Sequence, residues 1–251
     1  MRLPVTGPPA RRMQNLGEMV VSTGMADIVA ALSSDGSRGL EAVAARTCAG
    51  VLGVSGVAVS VLVSGGSGEV VWRTDGVSVR LDDLQFTLGQ GPGVDAAVSG
   101  ELVLEPDLAA VPAQRWPVFT PAALELGVRA VFALPLQIGA IRLGVLLAHR
   151  NEAGGVDGGM LTDMLAFAGA ATEALLGPAT AGSQPQWLSD QGSGYRTEVH
   201  QATGMISVQL GVSQAETLIR MRARAFSHRR ALADVAADVV ARRMRFDDNA
   251  D

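Results

Sequence analysis

Two apolar runs, residues 128–138 and 141–150, meet at Gly139-Ala140. Each is strand length, and a two-residue connection can only return the chain antiparallel to itself, so the pair predicts a hairpin at the centre of a sheet. Upstream, residues 55–63 are rich in Val and bounded by Gly53 and by Ser64-Gly65-Gly66, which predicts a strand. Residues 69–74 read as its hairpin partner, ended by Asp75-Gly76. Apolar residues at helical spacing predict helices over 19–32, 37–52 and 158–176. In the second, Leu40, Val43, Ala44, Thr47, Cys48 and Val51 share a face, and in the third Leu161, Met164, Leu165, Ala168, Thr172 and Leu175 do.

The order helix, helix, strand, strand, connection, strand, strand, helix describes an α+β domain, an antiparallel sheet with helices covering one side. It is expected to span residues 18–176, after a disordered tail over 1–17 containing Pro4, Gly7, Pro8 and Pro9. Residues 177–194 are heavy in Gly, Ser and Pro and lack heptads, predicting a linker with a root-mean-square span of roughly 25 Å. Two domains joined in that way need not touch.

Charge divides the chain at the linker. Residues 1–189 hold eleven Arg against seventeen acids, whereas 195–246 hold nine Arg against four. The last five residues, 247–251, form an acidic tail with three Asp. A basic segment in a chain of net charge -5 points to nucleic acid as its partner. All basic residues are Arg, which suits phosphate pairing and base stacking, although Arg-only usage equally reflects genomic base composition. With one cysteine, Cys48, neither an intramolecular disulfide nor a closed cysteine metal site can form. Arg11-Arg12 is not followed by an apolar run of signal-peptide length, and no stretch approaches the roughly twenty apolar residues of a membrane span. A cytoplasmic location without membrane contact is expected.

The basic segment predicts three helices, over 195–210, 214–228 and 231–245. Gly211 stops the first, and Ser213 with Glu216 three residues later has capping-box spacing for the second. Val199, Ala202, Ile206 and Leu210 form one apolar stripe, and Leu232, Val235, Ala236, Val239 and Val240 another. A three-helix bundle buries both. The wording is more specific than the pattern: Gln201 to Ile206, Met221-Arg222 ahead of Phe226, and Ala233-Asp234-Val235-Ala236 together resemble the ANTAR family of RNA-binding transcription antiterminators over about fifty residues. Thr203 stands where many members carry Lys, and Thr217 where many carry Ala. The words LQFTLGQGPGVDAAVSGELVLEPDL, RWPVFTPAALELGVRAVFALPL and GAIRLGVLLAHR resemble the GAF domains that commonly precede such a segment.

These resemblances imply a signal-responsive regulator that binds paired stem-loops in nascent RNA, with a GAF-like sensor of an unknown small-molecule or protein signal; a homodimer through the helices around Met19–Leu52 and Leu161–Leu176 is also expected. The RNA-binding set expected is His200, Gln201, Ala202, Thr203, Gly204, Arg220, Arg222, Arg224, Arg229, Arg230 and Arg242. Ala202 and Gly204 would either admit close backbone approach by RNA or pack helix against helix. The alternative function is a protein-interaction or dimerisation module with no RNA binding.

No catalytic residue, metal site or cofactor is expected, and the chain does not read as an enzyme. LGQGPGVDAAVSG lacks the Gly-Lys-Ser/Thr sequel of a phosphate loop and reads as a turn entering a short helix over 94–98. Related GAF domains often carry Cys where Gly93 stands, so no thiol chemistry is available there. His149 at a strand end reads as structural, with no Ser, Cys and acid constellation evident beside it. Trp116 and Phe119 are the candidate lining of a ligand pocket, or alternatively close the core.

Overall fold

The computed structural model describes residues 20–34, 39–63, 67–176 and 194–246. The expected tail 1–17, nearly all of the linker and the acidic tail lie outside the described residues. The sheet domain runs α1 (Thr23–Ser34), a 3-10 turn (Gly39–Ala42), α2 (Ala45–Leu52), β1 (Gly56–Val63), β2 (Ser67–Arg73), α3 (Gly76–Leu88), α4 (Pro92–Ser99), β3 (Val103–Glu105), a second 3-10 turn (Leu108–Ala110), α5 (Phe119–Glu125), β4 (Ala130–Ile138), β5 (Ile141–Arg150) and α6 (Gly158–Leu176). The bundle follows as α7 (Gly194–Leu210), α8 (Gln214–Ser227) and α9 (Leu232–Val240).

The five strands form one antiparallel sheet in the order β2-β1-β5-β4-β3. The hairpin at Gly139-Ala140 is present, with Ile138 opposite Ile141. Side chains alternate across the pleat, so one strand feeds two cores. From β4, Ala130, Phe132, Leu134 and Leu136 enter the core beneath α1, α2 and α6, while Val131 and Ala133 enter a second one with Leu81, Ala96, Trp116 and Phe119. The expectation that helices cover one side is therefore corrected: both faces are covered. A run apolar at every position, such as β4, belongs to a strand buried on both faces. The second cover is built from α3, α4 and α5, of which only α4 was anticipated.

Trp72 and Phe167 stack at 5.3 Å in the first core, and the Trp72 indole N–H donates to the Val43 carbonyl at 3.0 Å, which satisfies its one buried polar atom. That contact falls where the predicted 37–52 helix is broken. Residues 43 and 44 interrupt it, and the face actually buried is Ala45, Cys48, Ala49 and Leu52, leaving Ala44 and Thr47 exposed. α6 has the predicted bounds, with Met164, Ala168, Thr172 and Leu175 buried but Leu165 40% exposed. It is long and apolar enough to cross a bilayer by length and composition, and its buried side chains lie in the first core.

In the β1–β5 pairing Gly144 lies opposite Val61. A Cβ there would stand 2.1 Å from the Ser60 carbonyl oxygen, a backbone atom that cannot move without breaking the ladder. Gly144→Ala is expected to cost about 3 kcal/mol of unfolding free energy. Urea denaturation followed by Trp fluorescence checks this, and a midpoint equal to the parent's would contradict it.

Candidate nucleic-acid interface and sensor pocket

The bundle core is Val199, Ala202, Ile206, Leu218, Met221, Val235, Ala236 and Val239, together with one residue of the other domain, Phe86. Ser213 caps α8 by accepting from the Glu216 N–H at 3.2 Å, and Gly211 ends α7 at φ 68°. The other two helices end on arginine. In α8 the Arg229 N–H reaches the Phe226 carbonyl and the Arg230 N–H the Ala225 carbonyl; in α9 Arg242 reaches Val239 and Arg243 reaches Asp238. These are Schellman closures with Arg229 (φ 53°) and Arg242 (φ 59°) in the left-handed position usually given to Gly. The third helix is consequently shorter than the predicted 231–245, and Arg242 and Arg245 lie beyond it.

The predicted RNA-binding residues separate into three environments. Ala202 is fully buried in the bundle core. Thr203, 4% exposed, donates its hydroxyl to the Val199 carbonyl at 2.7 Å. Neither reaches the surface, which corrects their assignment as contacts and resolves Ala202 as a helix-packing residue. Gln201, Gly204 and Arg242 line an open groove of about 570 Å³, together with Met205, Val208 and Arg245. Val208, 85% exposed, gives this groove an apolar wall. Arg220 pairs with Glu216 at 2.8 Å, Arg230 with Asp238 at 2.6 Å, and Arg224 lies over the Phe246 ring at 5.2 Å. Arg229 is exposed. His200 and Arg222 do neither of these things; they face the sheet domain.

That interface was missed, and it is built on α3. Asp75 caps α3 by accepting from the Ser78 N–H at 2.9 Å, and Gly89 closes it at φ 65°. Asp82 and Phe86, one turn apart, point at Arg196 and His200, one turn apart on α7. The Arg196 guanidinium, 2% exposed, pairs with Asp82 at 2.9 Å and also with Asp83, donates to the Gly68 carbonyl at 2.7 Å and lies 4.6 Å from the Phe86 ring centre. Burial pushes the Asp82 carboxyl up, against the pull of Arg196 beside it. His200 meets the edge of Phe86 and lies 3.6 Å from Glu69. Arg222 donates to the Phe86 carbonyl at 3.0 Å, in the last turn of α3, where backbone acceptors lack helical partners and the dipole favours a cation. Burial lowers its pKa to about 10, which leaves it charged at neutral pH.

Arg222 also borders a pocket of about 70 Å³ between the sheet and α3 and α4, with Ser60, Asp82, Gln85, Phe86 and Val94. Trp116 and Phe119, the candidate lining residues, are 2% and 0% exposed and meet edge to face at 5.9 Å within the second core, so they close the core and line no part of this pocket. Gly93 is buried, and its N–H donates to the Gln85 side-chain carbonyl at 2.6 Å. Among the described residues no group of three or more His, Cys, Asp or Glu is arranged to hold a metal. The Cys48 thiol is fully buried, and burial pushes it up to about 12.

His149 has neighbours that the sequence did not reveal: Ser78 Oγ lies 3.3 Å from its Nε2, and Thr74 Oγ1 3.0 Å from Ser78 Oγ. Ser78 is 1% and His149 2% exposed, which denies a substrate access and makes the cluster structural.

No family model matches the chain, and no curated protein does. Solved structures similar to it include GAF domains. The phycoerythrobilin-bound GAF domain of a cyanobacterial phytochrome is 16% identical with a TM-score of 0.46, covering 61% of this chain and 95% of that one. The GAF domain of an Acinetobacter phosphoenolpyruvate-protein phosphotransferase is 10% identical with a TM-score of 0.48, covering 64% and 95%. Free methionine-R-sulfoxide reductase from Neisseria meningitidis is 19% identical with a TM-score of 0.36, covering 59% and 79%. No residue role is carried across at these identities.

Burial holds the His149 pKa below its usual 6.5, with Asp75 pulling the other way. The unfolded chain therefore takes up this proton first, so stability is complete above about pH 6.5 and declines below it, by at most about 1.4 kcal/mol per pH unit, until the folded pKa is reached. Chemical denaturation between pH 7 and 5 is expected to show this decline in the parent and a shallower one in His149→Gln; equal slopes would remove His149 as its source.

Proposed function

We propose that this chain is a signal-responsive RNA-binding regulator of transcription antitermination, its bundle engaging paired stem-loops of nascent transcripts and its sheet domain acting as a GAF-like sensor. The observation that carries this reading is the groove between α7 and the residues following α9. It combines an apolar wall (Met205, Val208), an amide able to donate and accept (Gln201), a residue without a side chain (Gly204) and two cations at its rim (Arg242, Arg245). Single-stranded loop bases are recognised by that combination: an apolar or planar surface to lie on, an edge hydrogen-bonder, and charge for the flanking phosphates. The ANTAR-like wording of the same residues supports it.

Holding Arg242 in the left-handed region costs roughly 1 kcal/mol relative to Gly. A strained residue kept beside a groove supports a role other than stability. The interaction-module reading draws on a different observation, the exposure of Ile219 (63%) and Phe226 (74%) on α8, which suits pairing with another protein or a second copy. The homodimer remains part of the proposal on that account.

Electrophoretic shift with a two-stem-loop RNA, against a scrambled-loop control of equal length, separates the two. Loop-dependent binding supports antitermination, whereas equal or absent binding favours the interaction module. Within the first reading, Arg242→Gly should raise the bundle's unfolding free energy by about 1 kcal/mol while weakening RNA binding. Arg242→Ala with Arg245→Ala should reduce the slope of log affinity against log salt by about 1.5 to 2. Filter binding across a salt series reads the slope, and an unchanged slope would remove these residues from the interface.

A further inference from the structure

The docked bundle offers one face to solvent and gives another to the sheet domain. Along α7, Arg196 and His200 form a stripe next to the one formed by Gln201, Gly204, Met205 and Val208, the two centred about 100° apart around the helix. Glu69, Asp82 and Asp83 of the sheet domain occupy the stripe beside the groove. Carboxylates stand there in the place of phosphates.

Resting on the RNA-binding reading above, we propose that α3 and β2 form an intramolecular competitor for RNA: Asp82 and Asp83 neutralise Arg196, Glu69 covers His200, and Phe86 pins the sheet domain into the bundle. Three independent features make the contact a built one. Arg196 is 2% exposed, yet bridges two carboxylates and a backbone carbonyl. Phe86, 5% exposed, belongs to the bundle's core and not to either core of the sheet domain. Gly89 turns the chain at φ 65° where a Cβ would stand 2.9 Å from the Arg222 guanidinium, so the end of α3 is shaped to admit that arginine. Asp82, Gln85, Phe86 and Arg222 of this contact also border the small pocket.

Removing the two carboxylates takes the Asp82 and Asp83 pairs from the buried Arg196, which favours opening over retention of the docked state. The test uses the full chain carrying Asp82→Asn with Asp83→Asn, and spin labels on cysteines replacing the exposed Glu152 and Ile219. Cys48 is buried and stays unlabelled. The control Glu101→Gln with Glu125→Gln removes the same charge from exposed positions. A longer, broader distance distribution is expected for the latch variant, with two-stem-loop RNA bound at least tenfold more tightly than by the parent and the control within twofold of the parent. Glu69→Gln with Asp83→Asn, which keeps the Asp82 pair, should give about threefold and serves if the first variant does not fold. An unchanged distance distribution overturns the latch, as does opening that leaves RNA affinity level with the control. Opening with no RNA binding by any variant sinks the RNA reading and the latch together, whereas equally tight binding by all sinks the latch alone.

Discussion

A sheet that must be buried on both faces governs the rest of this molecule. β4 and β5 carry apolar side chains at nearly every position, and each face needs its own cover. α1, α2 and α6 supply one; α3, α4 and α5 supply the other, filled by Trp116, Phe119 and Leu81. Once α3 is held against the sheet by Leu81, its opposite side faces outward with Asp82, Asp83 and Phe86 at its edge. The bundle docks there. The interface thus follows from the demand of the second core, because the helix that satisfies it has a second side to present.

Two contributions of different character hold the bundle in place. Burying a Phe side chain contributes about 2 to 3 kcal/mol of transfer free energy and is indifferent to register. The Arg196 bridge adds less net stability, since desolvating the charges offsets their attraction, but a misplaced Arg196 would break the buried pair it makes with Asp82. Phe86 accordingly sets the strength of docking and Arg196 its geometry. The carbonyl of Phe86, taken by Arg222, ties both to the end of α3.

Four of the five strands, the central hairpin, α6 and the start of each bundle helix were legible in the sequence because local signals decide them: Gly139-Ala140, the apolar run from Gly158, Ser213 with Glu216; the three-residue β3 was not. α3 was missed although Val77, Leu81, Leu84 and Leu88 have helical spacing behind an Asp75 cap, because Asp75-Gly76 reads equally well as the end of a hairpin. The end of α9 was placed too late since nothing in the sequence marks a left-handed arginine. The candidate site was legible only as a list of residues. Thr203 and Gln201 are neighbours of similar polarity, yet one hydrogen-bonds its own helix inside the core and the other borders the groove, and that difference depends on which way α7 faces. Docking is a long-range property of residues more than a hundred positions apart, and a Gly, Ser and Pro-rich linker carries no trace of it.

Charge counting alone therefore misstates what the bundle offers to a polyanion. Of its nine arginines, Arg196 and Arg222 are held by the sheet domain, Arg220, Arg230 and Arg243 have carboxylates of the bundle beside them, and Arg224 lies over the Phe246 ring. Arg229, Arg242 and Arg245 have no acidic partner among the described residues. Counterion release counts only phosphates newly neutralised, so a docked bundle behaves as a ligand of few charges and an undocked one as a ligand of more. Two of those three arginines occupy the left-handed closures of α8 and α9, where the chain accepts strain to hold a cation against the helix ends. If the bundle binds RNA as proposed, the salt dependence of that binding measures docking as well as affinity, because Arg196 and Arg222 serve the sheet domain or the phosphates but not both at once.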